Sequence, residues 1–246
     1  MANSKVVVIT GAARGLGKEL VQEFSANGYS VAAVVRTSES QEALSDLMNS
    51  NKSITCHVAD VSRAEQVEHA FEEILSVHKH VDVLFNSAAV YPKINFLDES
   101  SNDWAEALAV NVNGVVNCCK TVLPSMLERN YGRIFNVGSW AHMGPIENSA
   151  VYSASKGCVR ALTKAIGVDI LTRGKDVQVH EWIPGHLNTR MSDFTGIDPR
   201  ESARWAVNMV ENHSTQSESS IFDGAELWVP PKSLKRRVLD KLLFWK

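Results

Sequence analysis

Tyr152 and Lys156 stand four residues apart in Tyr152-Ser153-Ala154-Ser155-Lys156, and Ser139 lies thirteen residues before the tyrosine. On a helix that spacing puts the phenol and the ammonium on one face, one turn apart. A neighbouring cation favours phenolate, so Lys156 is expected to lower the tyrosine pKa from its ordinary value of about 10 toward working pH. A tyrosine tuned in this way passes a proton to or from a reacting oxygen. A Tyr/Lys pair at this spacing also occurs on any solvated helix face, so its weight depends on what precedes it.

What precedes it is an anion site. Residues 5–10 (KVVVIT) are rich in β-branched side chains and read as a buried strand. The chain then runs through Thr10-Gly11-Ala12-Ala13-Arg14-Gly15-Leu16-Gly17 into a helical pattern over residues 18–27. Strand, glycine-rich turn and helix N-terminus together let backbone approach a phosphate, with free N–H groups and the helix dipole completing the cradle. The spacing is TGxxxGxG rather than GxGxxG. The alternative is a glycine-rich turn that binds nothing.

The elements that must position these residues alternate along the chain. Residues 31–35, 54–58, 81–85, 133–137 and 177–183 read as strands, and helical patterns fall near 41–49, 64–77, 102–129 and 149–172. Alternation of this kind predicts an α/β fold: one Rossmann-type doubly wound parallel sheet of about seven strands with helices on both faces. Residues 1–229 are expected to form this domain, closed by a last strand near 225–229 after a polar surface loop at 212–220. Residues 230–246 are set apart by Pro230-Pro231 as a basic tail.

With these motifs in order, the chain resembles the short-chain dehydrogenase/reductase (SDR) family from residue 5 to about 227. Asp60-Val61 resembles the family's adenine-contacting pair, Asn111-Val112-Asn113-Gly114 its NVxG helix motif, and Asn136-Val137-Gly138-Ser139 the strand carrying the active-site serine. Pro184-Gly185-His186-Leu187-Asn188-Thr189 resembles the PG motif, whose threonine contacts the nicotinamide carboxamide. The resemblance implies that Tyr152 is the general acid in carbonyl reduction and the base in alcohol oxidation. Ser139 steadies the substrate oxygen, Lys156 tunes the tyrosine and holds the nicotinamide ribose, and Asn111 anchors a water in the proton relay. It further implies a cofactor site made of Gly11, Arg14, Gly15, Leu16, Gly17, Arg36, Asp60, Val61, Asn86, Tyr152, Lys156, Pro184, Gly185, Leu187 and Thr189. At the end of the second strand, where NAD-preferring relatives carry an acid, stands Val35, followed by Arg36. Two guanidiniums, Arg14 and Arg36, and no carboxylate suit a ribose 2′-phosphate, so NADP(H) is expected over NAD(H). Two positions depart from the family. Ala89 ends Asn86-Ser87-Ala88-Ala89 where relatives carry glycine, and His180 replaces a frequent asparagine.

Composition agrees with one enzyme domain of this size. The 246 residues carry a net charge of −3, which leaves no basic field for nucleic acid. No apolar run is long enough to span a bilayer, and no signal peptide is expected before the first strand. The four cysteines, Cys56, Cys118, Cys119 and Cys158, lack zinc-ligand spacing and are expected to be reduced, buried and cytoplasmic. The eight histidines form no HxxxH pair, so no metal is expected.

Substrate contacts are expected from Ser139, Trp140, His142 and Tyr91, around a partly apolar carbonyl compound of modest size. Trp140 either lines the pocket or packs beneath its loop, and His142 is either a second proton donor or a hydrogen-bonded loop residue. The tail from Lys232 to Lys246 shows an apolar stripe flanked by basic residues. It either lies on an anionic membrane, docks on a partner, or packs on its own domain or oligomer. The family resemblance also implies a homodimer or homotetramer. The leading expectation is NADPH-dependent reduction of a carbonyl group or the reverse oxidation. The alternative is a non-catalytic NADP(H)-binding sensor or scaffold acting through the tail.

Overall fold

The computed structural model describes residues 4–173, 176–212 and 220–229. The tail expectation for residues 230–246 falls outside them. The described elements begin with β1 (Val6–Thr10), α1 (Gly15–Ala26), β2 (Ser30–Val35), α2 (Ser38–Glu42), α3 (Ser45–Ser50), β3 (Ile54–Val58), α4 (Ala64–His78) and β4 (Val83–Asn86). They continue with α5 (Ser101–Leu108), a π-helical turn (Ala109–Asn113), α6 (Gly114–Arg129), β5 (Tyr131–Val137), α7 (Ala150–Leu171), β6 (Asp176–Ile183), α8 (Pro199–Asn212), β7 (Ile221–Asp223) and β8 (Glu226–Leu227).

The strands form one sheet in the order β3-β2-β1-β4-β5-β6-β7-β8. β1 to β7 pair in parallel, and β8 returns antiparallel to β7. The count is eight rather than about seven, because the last expected strand is a short hairpin that turns at Gly224 with φ +61°. The direction of strand addition reverses between β1 and β4. That reversal opens a crevice beyond their C-terminal ends, where open α/β sheets bind ligands.

Alternating strand residues feed two cores. On one face Val7, Ile9, Phe85, Phe135 and Trp182 pack against Leu20 and Phe24 of α1 and Ala206 and Val210 of α8. On the other, Val8, Leu84, Ile134 and Val179 pack against Phe71 and Ile74 of α4, Val122 of α6 and Val159 of α7. Helix α8 has no counterpart in the sequence reading. Its buried face combines Ser202, Ala203 and Ala206 with Val207, Met209 and Val210, while the rest of the helix is strongly polar, and it packs on α1. The single helix expected over 102–129 is two α-helices joined by the π-helical turn. Of the four thiols, Cys118 and Cys119 are buried but Cys158 is exposed on α7, contrary to expectation.

His180, the departure from the family asparagine, faces the core rather than the crevice. Its Nδ1 accepts from the Ser220 N–H at 3.1 Å, its Nε2 faces Gln178 Oε1 at 3.1 Å, and its ring lies between Phe135 and Phe222. Burial first, and the Arg133 charge second, push its pKa down to about 3. The unfolded chain therefore binds the extra proton between the ordinary histidine pKa of about 6.5 and the folded value. The stability this neutral histidine contributes is intact above that window and is lost as pH falls through it, at about 1.4 kcal/mol per pH unit. His180→Asn, which still offers an acceptor to Ser220, is expected to flatten urea-unfolding stability between pH 6.5 and 4 by that slope. An unchanged slope in the variant counts against this account.

Candidate active site

The glycine loop is built as its sequence suggests. Gly11 and Gly15 have φ of +68° and +53°, in the left-handed region that favours glycine. A Cβ on Gly17 would overlap the Gly11 carbonyl, and one on Gly11 would meet Ala88 of the loop after β4. Arg14 stands at the N-cap of α1 without a side-chain cap, so first-turn N–H groups stay available to an anion. Arg14 and Arg36 are both exposed, and neither forms a salt bridge among the described residues. Leu16 is buried in the core behind the loop. The Thr189 methyl approaches Gly15, so the segment after Pro184 and Gly185 closes over the loop from the β6 side. Leu187 packs against the core and bridges Ile197. These features fit a phosphate-bearing dinucleotide.

Asp60 and Val61 follow β3. The Asp60 carboxylate accepts from the Ser62 N–H and hydroxyl, which orders the turn, and Val61 is buried against α6. Asn86 is buried at the end of β4 and donates to Asn136 Oδ1 at 2.8 Å and toward Cys119 Sγ. Its amide ties β4 to β5. Backbone at Ala88, rather than the Asn86 side chain, meets the glycine loop.

The four candidate catalytic residues converge where β5 ends against α7. Tyr152 neighbours the Ser139 side chain and stacks face to face on Tyr91 at 4.6 Å. Lys156 is buried and donates to the Val137 carbonyl at 2.8 Å, with its ammonium 5.6 Å from the Tyr152 ring centre. Burial raises the Tyr152 pKa, and the Ser139 side chain pulls it back. The expected lowering by Lys156 is therefore not what the structure gives. The lysine is committed to a carbonyl on β5, and desolvation of the phenolate outweighs its charge. Lys156 itself is pulled down to about 8 by burial, opposed by Glu181.

Asn111 lies buried in the π-helical turn. Its Oδ1 accepts from the Val90 N–H at 2.8 Å, and its Nδ2 donates to the Val90 carbonyl at 2.9 Å and to Ser155 Oγ at 3.0 Å. It thus clamps the loop carrying Tyr91 onto the helix carrying Tyr152. Trp140 packs on Trp228 at 5.3 Å and on the Arg160 guanidinium at 5.4 Å. His142 Nδ1 meets the Ser139 carbonyl at 2.7 Å, which makes it a loop-ordering residue in this structure.

Three features of the site escaped the sequence reading. Lys93 and Asp193 form a 2.6 Å ion pair that joins the loop after β4 to the segment after Thr189, across the mouth of the crevice. Trp228 backs Trp140. Glu181 is buried beneath Gly138, in a strand that also carries Gln178 and His180, so its carboxylate did not stand out in the sequence. A cavity of about 490 Å³ lined by Phe96, Ile146, Ser149 and Ser153 lies alongside, and neither Ser139 nor Tyr152 lines it.

Comparison with known proteins agrees with this geometry. The family profile described as short chain dehydrogenase matches residues 5–199. The chain is 32% identical to meso-2,3-butanediol dehydrogenase of Serratia marcescens over 191 residues, 78% of this chain and 74% of that protein. It is 30% identical to carbonyl reductase family member 4 of Xenopus tropicalis over 235 residues, 90% of this chain and 97% of that protein. In fold it is similar to 3-ketoacyl-(acyl-carrier-protein) reductase of Brucella melitensis, solved in complex with NADH. That match has a TM-score of 0.80 at 24% identity and covers 89% of this chain and 97% of that one.

Proposed function

Because the chain belongs to the short chain dehydrogenase family and is an oxidoreductase of that family, we propose that it reduces a carbonyl group to an alcohol, or runs the reverse oxidation, with NADP(H) preferred over NAD(H). The observation that carries this reading is the Tyr152 phenol, beside Ser139 and with the Lys156 ammonium 5.6 Å from its ring centre, at the end of β5.

Nicotinamide, when bound, supplies the hydride. The rest of the work belongs to side chains. Ser139 donates to the substrate oxygen as negative charge develops on it. Tyr152 gives that oxygen a proton from Oη in reduction and takes one in oxidation. The raised tyrosine pKa keeps the phenol protonated at neutral pH, which suits it to the reductive direction. Lys156 as an ammonium holds positive charge beside the phenol and reaches toward the ribose. The buried clamp from Asn111 to Val90 and Ser155 holds the two walls of the site together. A sensor or scaffold would have no use for this proton-handling set, so the non-catalytic reading is disfavoured. A homodimer or homotetramer, cytoplasmic location and a small carbonyl or alcohol substrate belong to the same proposal, with residues 1–229 as the catalytic domain.

Cofactor preference rests on Arg14 and Arg36, and is supported by the absence of a carboxylate at Val35. In assays of NADPH and NADH oxidation across a carbonyl panel, NADPH is expected to be favoured in kcat/KM by roughly tenfold or more, the scale of one charge-assisted contact. Arg36→Asp is expected to reverse the order. A clear NADH preference in the native protein would refute the assignment of these two arginines, and no turnover with either cofactor on any carbonyl would count against the enzyme reading.

A further inference from the structure

Glu181 is an ionisable side chain at the site that the reaction outlined above does not use. It lies on β6 opposite Asn136 of β5, and its residue is only 1% exposed. Its side chain passes directly beneath Gly138, where a Cβ would overlap Oε1. The residue before Ser139 is thus a glycine because this carboxylate fills the space. Neither carboxylate oxygen receives a hydrogen bond from the described residues. Among the described residues it forms one ion pair, with Arg160 of α7 at 3.4 Å. The Arg160 guanidinium is itself held between the Trp140 and Trp228 rings, 5.4 and 5.3 Å from their centres.

The same carboxylate lies close to the catalytic lysine. Lys156 donates to the carbonyl of Val137, and the next residue is the Gly138 that Glu181 underlies. A buried ammonium whose hydrogen bond among the described residues goes to a neutral carbonyl needs a counter-charge to remain an ammonium. Charges from α7 (Arg160, Lys156 and Lys164) and from the turn after β5 (His142) all bear on Glu181, Arg160 most strongly. From β5 it meets Gly138, and from the β7 side its own N–H donates to the Ser220 carbonyl.

We propose that Glu181 is a positioning residue for catalysis: its buried carboxylate holds Lys156 as an ammonium before the cofactor arrives, while Arg160 keeps that carboxylate from being fully claimed by the lysine. This rests on the reading of Lys156 as a member of the catalytic set. The pull of burial on Lys156 and the opposing pull of Glu181 have the signs this role requires. Removing the carboxylate leaves burial unopposed, so the ammonium is lost at lower pH.

The test is direct observation of both groups in the cofactor-free protein by carbon NMR, with ¹³C at lysine Cε and glutamate Cδ and with Lys156→Met and Glu181→Gln assigning the two signals. In the native protein the Glu181 carboxyl signal is expected to step at the pH where Lys156 titrates, and the step is expected to vanish in Lys156→Met. In Glu181→Gln the Lys156 midpoint is expected to fall by about one pH unit, the low end of the effect of an adjacent opposite charge. A Glu181 signal that ignores the Lys156 titration in the native protein overturns the proposal, whether or not Glu181→Gln folds. So does an unmoved Lys156 midpoint in a folded Glu181→Gln. NADPH and NADH affinity, followed by tryptophan fluorescence, separates this from the reading beneath it. A protein that couples the two groups but binds neither cofactor refutes the family reaction and leaves the coupling standing.

Discussion

Tyr152→Phe is expected to lower kcat by about 10²- to 10⁴-fold, the usual contribution of a positioned general acid or base. The substitution removes one oxygen. The ring keeps its stack on Tyr91, and Lys156 keeps its bond to the Val137 carbonyl. Ser139 can still donate to a substrate oxygen. The loss should therefore appear in kcat at every pH, with cofactor affinity nearly unchanged. Stopped-flow reduction under single-turnover conditions, paired with fluorescence titration of NADPH, reads the two quantities separately. Full turnover in the variant would remove Tyr152 from the chemistry, whereas equal losses in turnover and cofactor affinity would make it a binding residue.

Trp182→Ala carries the largest expected stability change, about 3–5 kcal/mol, the range for truncating a buried aromatic. The ring is wholly buried and sits edge-on to Phe85, which stacks in turn on Phe135. Its Nε1 donates to the Gly224 carbonyl at 3.0 Å, and its own carbonyl accepts from the Gly138 N–H at 2.7 Å. Alanine leaves a void between β4 and β6 and an unpaired carbonyl in the β7–β8 turn. Trp182→Phe refills most of the void but not the hydrogen bond, and should recover more than half of the loss. Urea unfolding of the three proteins checks both figures. A loss below 1 kcal/mol in the alanine variant would show that the core collapses around the site.

The architecture was legible where the chain repeats a simple rule. Runs such as Val6–Thr10 and Ser30–Val35 are apolar on both faces, as parallel strands covered by helices must be. The glycine loop and the Tyr152 spacing could be placed because each imposes its residue types through geometry. Helix α8 was missed because its polar residues outweigh its apolar ones along the segment, although Ala203, Ala206, Val207, Met209 and Val210 line one buried face. The charge state of Tyr152 was misjudged because spacing says which groups are neighbours, but not how much water each has lost. Lys156 lies on the predicted helix face, yet burial dominates both groups. Glu181 and Trp228 were unreadable as site residues, since their meaning arises only from the register of β6 and the return of β8.

The π-helical turn at Ala109–Asn113 makes chain length part of the chemistry. The Gly114 N–H reaches back five residues to the Ala109 carbonyl, so this segment carries one residue more than a continuous α-helix would hold. Deleting one of these residues would restore an ordinary helix over the same span and erase the bulge that sets the direction of Asn111. Asn111 would then swing away from Val90 and Ser155, and the Tyr91 loop would come free of the Tyr152 helix. The register of the helix, and not only the identity of the asparagine, keeps the two walls of the site facing each other. A scan of point substitutions would pass over this dependence, because no substitution changes the number of residues between Leu108 and Gly114.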